Sequence, residues 1–371
     1  MNLKKILPLL LISSSLFSCR EKKGENVYIT FGKLYDSSLK SDTKSLYLHT
    51  TNISYEDLNR KIKNKDNFIL LIYEYKALEK GEDIECLCYT SFAYNLNIYI
   101  KNNNAEIYGV DPSDLKNVND TFSLDIVSGD QTLAIFSEGK VYKQETTSNE
   151  ELATLEKIYS FFSNVVFSDM LYVSKSQLDS MFVNGNIFTI GYLRKTCSDC
   201  AYLIDDFLKE YNKSSFSKKI YVIDCDSDGI RYENGEVNSS VWQSFKDEYG
   251  LSNKYNVEFG YNDGYVPTFL TYKVDGTEEK YASYVLDGVV AYNDVLTLSN
   301  GVCKISDSYW NGKEHPFFSS LNKDIETNLL NIEIPEDEYS SYGEDGVYWK
   351  KEYAREYHNK LIKGYLDFYS K

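Results

Sequence analysis

The stretch IFTIGYLRKTCSDCAYLI, residues 187–204, contains a run of β-branched and aromatic residues followed by two cysteines three positions apart. Residues 187–193 have the composition of a buried strand, because such side chains fit a pleated sheet that is covered on both faces. From residue 200 onward, apolar side chains recur at helical spacing. The stretch therefore predicts a strand that leads directly into a helix, with Cys197 and Cys200 at the junction. Such a pair is a redox centre, half of a metal site or a structural disulfide.

A second part of the chain repeats the pattern around this stretch. Residues 53–73 align without a gap with residues 173–193. In each segment a serine at a helix N-cap position is followed three residues later by Asp or Gln, which is the arrangement of a capping box. The two pairs are Ser54 with Asp57 and Ser174 with Gln177. Residues 68–72 and 188–192 then have the composition of buried strands.

Two further matches follow in the same order along the chain. Each pair is a short apolar strand, and the second pair runs into an acid–Gly sequence that is typical of a hairpin turn. The pairs are EIYGVD (106–111) with KIYVID (219–224), and TLAIFSEGK (132–140) with TFLTYKVDG (268–276). Because three matches in one order indicate a duplication, we predict two copies of one α/β domain, residues 28–145 and 150–300.

The second copy resembles the thioredoxin fold superfamily. A buried strand leads into the CSDC motif (197–200), another apolar strand follows at 220–224, and Pro267 stands before the hairpin, where the family has its cis-proline. The resemblance covers most of residues 170–296 and, more faintly, 46–143. It implies an α/β fold of two tandem thioredoxin-like domains, each a central mixed sheet flanked by helices, with a C-terminal helical extension.

The resemblance also implies roles for three residues. Cys197 is the expected attacking thiol, Cys200 the resolving thiol, and Pro267 the element beside which a substrate strand docks. The chemistry needs a thiolate, and a helix N-terminus favours one because its unpaired N–H groups and positive dipole end stabilise an anion. We expect the neighbouring Arg194 and Lys195 to add electrostatic help.

The sequence departs from the family beside this motif. Asp199 places a negative charge close to both sulfurs and opposes their ionisation. Gly191 occupies the position, six residues before Cys197, at which thioredoxins carry a buried acid for proton transfer. The direction of electron flow therefore stays open, and an inert disulfide remains the alternative to a redox-active pair.

A metal site has weaker support in the sequence. Zinc normally takes four ligands, and neither a second CxxC motif nor paired histidines accompany the first. The sequence DCDSDG (224–229) begins like a calcium loop, but Gly235 stands where the loop requires its bidentate Glu. We therefore expect an ordinary acidic turn there, and no metal or other cofactor.

The first copy lacks the residues of the motif. In the gapless alignment Ala77 stands opposite Cys197, and Gln131 occupies the position of Pro267. The CxC pair of this copy is either structural or a displaced redox motif. The cysteines whose pairing the sequence leaves open are Cys86, Cys88, Cys225 and Cys303. We predict that the first copy serves binding or packing.

Residues 1–19 have the pattern of a secretory signal, with a basic start, a short apolar run and small residues before a cysteine. LFSC, residues 16–19, resembles a bacterial lipobox, whose cysteine is diacylated and becomes the mature N-terminus. The alternative is a plain signal peptide with an incidental cysteine. We predict lipidation at Cys19, a polar tether over residues 20–27, and a lipid anchor on the extracytoplasmic face of the bacterial cell membrane.

The charge of the chain limits its partners. Its 40 Lys and Arg against 56 Asp and Glu give a net charge of −16. Cleavage of the signal would remove Lys4 and Lys5, so the charge becomes more negative by two. Because nucleic-acid phosphates would be repelled, we expect no nucleic-acid partner.

Residues 301–371 form the predicted C-terminal extension. Within WKKEYAREYHNKLIKGYLDFY (349–369), apolar and aromatic residues recur at intervals of four, which predicts an amphipathic helix. This helix either packs on the second domain or lies on an anionic membrane surface through its lysines.

Two functions fit these observations. The leading hypothesis is a membrane-anchored extracytoplasmic thiol–disulfide oxidoreductase, whose partners are the thiols and disulfides of secreted or envelope proteins and an unidentified redox partner. The alternative is a non-catalytic thioredoxin-like lipoprotein that binds a protein or peptide.

Overall fold

The structure of the chain is a computed structural model. It describes residues 26–35, 48–81, 87–115, 122–127, 129–149, 151–183, 187–213, 219–252, 264, 266–273, 284–290, 298–299, 302–303, 339–341, 347–349, 359 and 362–367. The signal segment and lipobox predicted at residues 1–19 lie outside these residues.

The N-terminal part of the chain contains seven strands and four α-helices within the described residues. In chain order they are β1 (Val27–Ile29), β2 (Gly32–Lys33), β3 (Thr51–Asn52), α1 (Tyr55–Lys63), β4 (Phe68–Ile72), α2 (Tyr75–Glu79), α3 (Leu87–Asn103), β5 (Ile107–Val110), α4 (Pro112–Leu115), β6 (Thr132–Ser137) and β7 (Lys140–Thr146). A 3₁₀ turn, Thr147–Asn149, ends this part. Among the helices that the structure describes, none has both the length and the apolar character that a membrane crossing requires.

The second part repeats this arrangement. Its elements are α5 (Leu155–Phe161), β8 (Val165–Phe167), β9 (Met170–Tyr172), α6 (Lys175–Met181), β10 (Ile187–Leu193), α7 (Ser198–Tyr202), a π-helical segment (Leu203–Leu208), α8 (Lys209–Tyr211), β11 (Ile220–Asp224), β12 (Tyr232–Glu233), β13 (Glu236–Val237), α9 (Ser239–Tyr249), β14 (Thr268–Lys273) and β15 (Tyr284–Val290). Two short hairpins follow, β16 (Leu298–Ser299) with β17 (Val302–Cys303) and β18 (Tyr339–Ser341) with β19 (Val347–Trp349). Residues 362–367 form the last helix.

Both central sheets have one topology. The first has the strand order β3-β5-β4-β6-β7, and the second has β9-β11-β10-β14-β15 with β2 added beside β9. In each sheet the first three of these strands are parallel and the last two antiparallel. This order and these directions are those of the thioredoxin fold. The prediction of two tandem thioredoxin-like domains is confirmed.

The helix that precedes the central strand of each sheet begins with the predicted capping box. The Ser54 hydroxyl accepts from the Asp57 N–H, while the Asp57 carboxylate accepts from the Ser54 N–H. Ser174 and Gln177 form the same reciprocal pair. The leucine after each box is fully buried. The cap therefore determines where the helix begins, and the buried leucine determines which face meets the sheet.

The C-terminal helix packs into the core of the second domain. Ile362, Tyr365 and Leu366 are buried with the side chains of this core. The hydroxyls of Tyr365 and Thr271 share a hydrogen bond of 2.6 Å inside it. Of the two positions considered for the predicted amphipathic helix, residues 362–367 occupy the one on the second domain.

Part of the N-terminal segment, β2, joins the second sheet, although the repeat predicted that the first copy begins at residue 28. β1 pairs with β8, and β2 pairs with β9, both in parallel. An edge strand presents unpaired backbone groups, and β2 satisfies those of β9. The segment also contacts the first domain, because the Lys33 N–H donates to the Asn104 carbonyl at 2.9 Å. It therefore links the two domains.

A buried amide holds this segment in place. Asn212, only 8% exposed, donates from Nδ2 to the Ile29 carbonyl at 3.0 Å, and its Oδ1 accepts from the Ser168 hydroxyl at 2.6 Å.

Asn212→Ala should lower the free energy of unfolding by about 1–3 kcal/mol, because the Ile29 carbonyl loses the donor Nδ2 and the Ser168 hydroxyl loses the acceptor Oδ1. Chemical denaturation monitored by circular dichroism measures this change. Asn164→Ala is the matched control, since the Asn164 amide is exposed and donates to the Tyr142 hydroxyl at 3.3 Å. Equal stabilities of the two variants would contradict the role of Asn212.

Candidate thiol site

The structure places Cys197 at the N-cap of α7, immediately after the loop that follows β10. The backbone of Cys197 is extended (φ −89°, ψ 124°), so its sulfur faces the first turn of the helix. Cys197 is partly exposed, whereas Cys200, one turn further on, is fully buried. One thiol can therefore meet a partner from solution and the other reacts only with its neighbour.

The loop before β14 brings the predicted proline to the same place. The Val266–Pro267 peptide bond is cis. The Cys197 sulfur lies 3.5 Å from the Val266 carbonyl oxygen, to which it donates a weak hydrogen bond when it is protonated. Cys197, Cys200 and Pro267, which are separated by up to 70 positions in sequence, thus form one cluster at the end of the sheet.

The two thiols of the cluster ionise very differently. A hydrogen bond from the Cys200 thiol, together with the backbone N–H groups of Cys200 and Asp199, lowers the pKa of Cys197 to about 6. Burial and the Asp199 charge oppose this lowering. The same hydrogen bond, followed by burial, raises the pKa of Cys200 far above its ordinary value. The pair therefore carries one negative charge near neutral pH, on the exposed sulfur.

The two neighbouring bases do not act as predicted. Arg194 Nε pairs with the Asp226 carboxylate at 3.2 Å, and Lys195 Nζ pairs with the Asp224 carboxylate at 2.9 Å. Since each charge has its own counter-ion, the low pKa of Cys197 comes from hydrogen bonds and not from these bases.

Asp226 holds the loop that precedes Cys197. Its carboxylate, whose side chain is 8% exposed, accepts from the Thr196 N–H at 2.9 Å and from the Thr196 hydroxyl at 2.8 Å. It also accepts from Arg231 at 2.9 Å. Although burial opposes it, these hydrogen bonds and the one from Arg194 keep the pKa of Asp226 below its ordinary value. Asp226 is therefore a charged clamp on residues 194–196.

The sequence alone gave no sign of this clamp beyond the acidic turn in which Asp226 lies. Asp224 and Asp226, the first two acids of the calcium-like sequence, both bind cations of the protein itself. In the part of the chain that the structure describes, no three His, Cys, Asp or Glu side chains are grouped to hold a metal ion.

A phenylalanine fills the space of the missing acid. A Cβ atom on Gly191 would lie 2.8 Å from Cε1 of Phe269, which is fully buried on the neighbouring strand β14. No side chain fits at Gly191 unless this ring moves. A proton on Cys200 therefore has no buried carboxylate at this position to accept it.

The remaining cysteines differ in what the structure describes. Cys225 is a fully buried thiol after β11, and its N–H donates to the Leu193 carbonyl at 2.7 Å. Burial raises its pKa well above the ordinary value. Cys86 lies outside the described residues, and Cys88 and Cys303 are described by their backbone alone. The pairing of these three stays open.

Within the described residues of the first domain, the positions aligned with Cys197 and Pro267 have neither a thiol nor a proline. Ala77 lies within α2, where the Lys76 N–H donates to the Asp111 carboxylate at 3.0 Å. Gln131, at the position of the proline, bonds Thr147 through its backbone N–H and its side chain. The Asp111 carboxylate therefore contacts the first turn of α2, next to Ala77.

Comparisons with solved structures find matches of low similarity. Human ERp44 in its zinc-bound form is 10% identical, with 63% of this chain and 55% of that chain covered and a TM-score of 0.22. Full-length ERdj5 is 9% identical, with 64% and 29% covered and a TM-score of 0.23. The first two thioredoxin domains of Naumovozyma dairenensis Eps1p are 12% identical, with 64% and 90% covered and a TM-score of 0.21.

The chain spans about half of the matched ERp44 chain and under a third of the ERdj5 chain. No family's sequence profile matches the chain, and no curated protein sequence matches it. The assignment of the fold rests on the strand order and directions of the two sheets.

The rate of Cys197 alkylation by iodoacetamide should follow the thiolate, with a midpoint near pH 6. Because the thiolate exists above the pKa, the rate should be on its plateau at neutral pH and fall as the solution is acidified. Cys200→Ala should move the midpoint to higher pH, since it removes the S–H donor. Mass spectrometry of the reduced protein identifies the alkylated residue, and a midpoint at the ordinary thiol pKa would contradict this electrostatic account.

Asp226→Asn should shift the same midpoint to lower pH, because Arg194 and Arg231 lose their counter-ion and their positive charge then acts on Cys197. It should also lower the free energy of unfolding by about 2 kcal/mol, since hydrogen bonds to a charged group are lost. Asp228→Asn in the same turn is the control, as Asp228 is exposed. Identical titrations of the two variants would exclude an effect of the clamp on the thiol.

Proposed function

We propose that this protein is a membrane-anchored extracytoplasmic thiol–disulfide oxidoreductase that acts on disulfides of secreted or envelope proteins. One observation carries the proposal. A partly exposed Cys197 with a lowered pKa lies at a helix N-terminus, next to a buried Cys200 that donates to it and beside a cis-proline. Thiolate character, access and a resolving partner are the requirements of disulfide exchange.

In the first step, the Cys197 thiolate attacks one sulfur of a client disulfide. The client S–S bond breaks, a mixed disulfide forms between Cys197 and the client, and the other client sulfur leaves as a thiolate. The number of disulfides is unchanged and the negative charge passes to the client.

In the second step, Cys200 attacks Cys197. The Cys200 thiol gives up its proton, a Cys197–Cys200 disulfide forms, and the second client sulfur leaves as a thiolate. The client receives two electrons and the protein loses two. Because Phe269 occupies the space beside Gly191, the departing client thiolate or solvent is the acceptor of the Cys200 proton.

Turnover needs a second partner. A dithiol reductant returns the Cys197–Cys200 disulfide to two thiols and is itself oxidised to a disulfide. In the opposite direction, the oxidised pair takes two electrons from a client dithiol and a disulfide acceptor restores it. The reduction potential of the pair decides which direction prevails.

The proposed location rests on the sequence. A signal segment over residues 1–19 that ends in Cys19 supports export and diacylation. An oxidising compartment suits a chain that exchanges disulfides.

A non-catalytic binding module is the second candidate, and the first domain supports it. That domain has the same topology, and Ala77 stands at the position aligned with Cys197. If the thiol pair of the second domain is likewise structural, its disulfide should resist reduction at potentials down to about −300 mV. Titration of the thiols across a redox-buffer series distinguishes the two functions.

Cys197→Ser should reduce the rate of reduction of a disulfide peptide to the uncatalysed level, because it removes the attacking thiolate. Cys200→Ser should instead accumulate a mixed disulfide between Cys197 and the peptide, detectable by mass under non-reducing conditions. Unchanged activity of the Cys197 variant would refute the catalytic assignment, and absence of the trapped species would refute the resolving role.

A further inference from the structure

The N-terminal segment reaches the second domain at the end of the sheet opposite Cys197. β9 and β11 run parallel to β10, whose carboxyl end leads into the thiol site. β2 pairs in parallel with β9, with Gly32 opposite Leu171. Residues that precede Gly32 therefore come from the amino ends of these strands.

A second contact, made by Asn212, gives the distance between Cys197 and the N-terminal segment. The helical run that begins after Cys197 continues through α7, the π-helical segment and α8, and ends at Asn212. Asn212 donates to the carbonyls of Ile29 and Thr30, at 3.0 and 3.4 Å. Because helical residues rise by about 1.5 Å each, this run separates Ile29 from Cys197 by roughly 20 Å.

The segment is firmly attached from residue 27 onward. Val27 and Ile29 are buried in a core of the first domain, and β1 is paired with β8. Between Cys19 and Val27 lie only seven residues, 20–26. Such a length spans at most about 25 Å when fully extended and averages roughly 15 Å when flexible.

The net charge of the protein also opposes contact between its surface and an anionic membrane. A net charge of −16 repels anionic lipid headgroups, which opposes any tilt that brings more of the surface onto the membrane. Since the average reach of the tether, roughly 15 Å, is shorter than the roughly 20 Å from Ile29 to Cys197, the thiol faces away from the lipid surface unless the body turns over.

We propose that a lipid on Cys19 holds this protein with the Cys197 thiol facing away from the membrane, so that its clients are disulfides of proteins in solution and not disulfides at the lipid surface. This inference rests on the proposed anchor and exchange activity, and it adds the class of client. The body of the second domain acts as a spacer of fixed length between the lipid and the thiol.

The first experiment compares two clients of the lipidated full-length protein in phosphatidylcholine vesicles that contain phosphatidylglycerol. One disulfide peptide is presented on a soluble carrier, and the same peptide is attached to vesicle lipid through a linker of about two residues. The soluble client should be reduced at least about tenfold faster, because a linker that cannot span to the thiol gives almost no effective concentration.

The matched variant lengthens the tether. An insertion of about 20 Gly and Ser residues between Glu25 and Asn26 extends its average reach to roughly 30 Å. Reduction of the lipid-linked client should rise to within about threefold of the soluble client, while reduction of the soluble client should not change. Equal rates for both clients without the insertion would overturn the inference, as would loss of the lipidated protein from vesicles during flotation.

A second readout does not depend on activity. A dye is attached to Cys197 by alkylation at about pH 6.5, where its thiolate reacts selectively, and energy transfer to acceptor lipids is measured. Asn26→Cys in a Cys197→Ser background carries the dye at the membrane end. Transfer should be much weaker from Cys197, and equal transfer from the two positions overturns the orientation. If transfer differs but neither client is reduced, the orientation stands and the proposed function fails.

Discussion

The hydrogen bond from the Cys200 thiol to the Cys197 sulfur is the interaction on which the site depends. The two residues are chemically identical, and only their surroundings distinguish them. Cys200 is sealed in the core, where a charge is costly, and Cys197 lies at the surface with helix N–H groups beside it. A proton shared between the two therefore stays on the buried sulfur, and the exposed sulfur becomes the nucleophile. An exposed single thiolate and a protonated partner one turn below are what stepwise exchange requires.

The two domains share a carboxylate contact just after the central strand of each sheet. In the first domain, the Asp111 carboxylate accepts from the Lys76 N–H at the start of α2. In the second domain, Asp226 accepts from the Thr196 N–H, one residue before Cys197, so that the N–H groups of the first turn remain for the sulfur. The two carboxylates accept from aligned N–H groups, so the domains differ at the next residue, which is Ala77 in the first domain and Cys197 in the second.

The N-terminal segment connects the two domains, because it contacts both of them. It completes the edge of the second sheet through β2, inserts Val27 and Ile29 among apolar side chains of the first domain, and is held by Asn212 at the end of the helix that starts at the thiol site. The Lys209–Asp66 ion pair, at 3.4 Å, adds a direct contact between the domains. The N-terminal segment and the thiol site thus lie at opposite ends of one sheet and one helical run.

Local patterns in the sequence were sufficient for most of the fold. The capping boxes at Ser54 and Ser174 and the apolar runs of β4 and β10 depend on neighbours within a few residues, and so does the strand–helix junction at Cys197. The duplication could be recognised for the same reason, and the likeness of Pro267 to a cis-proline rested on its place before a hairpin. Such features can be recognised from the sequence because nearby residues determine the backbone conformation that they specify.

Tertiary structure alone decided which distant groups meet. The sequence placed Arg194 and Lys195 beside the thiol, but it could not show that Asp226 and Asp224, about 30 positions away, neutralise them. It showed a glycine at position 191 without the Phe269 ring that excludes a side chain there. It assigned β2 to the nearer domain, whereas β2 pairs with the edge strand β9 of the second sheet. Ion pairs, close packing and edge pairing act through space, and their partners become neighbours only when the chain has folded.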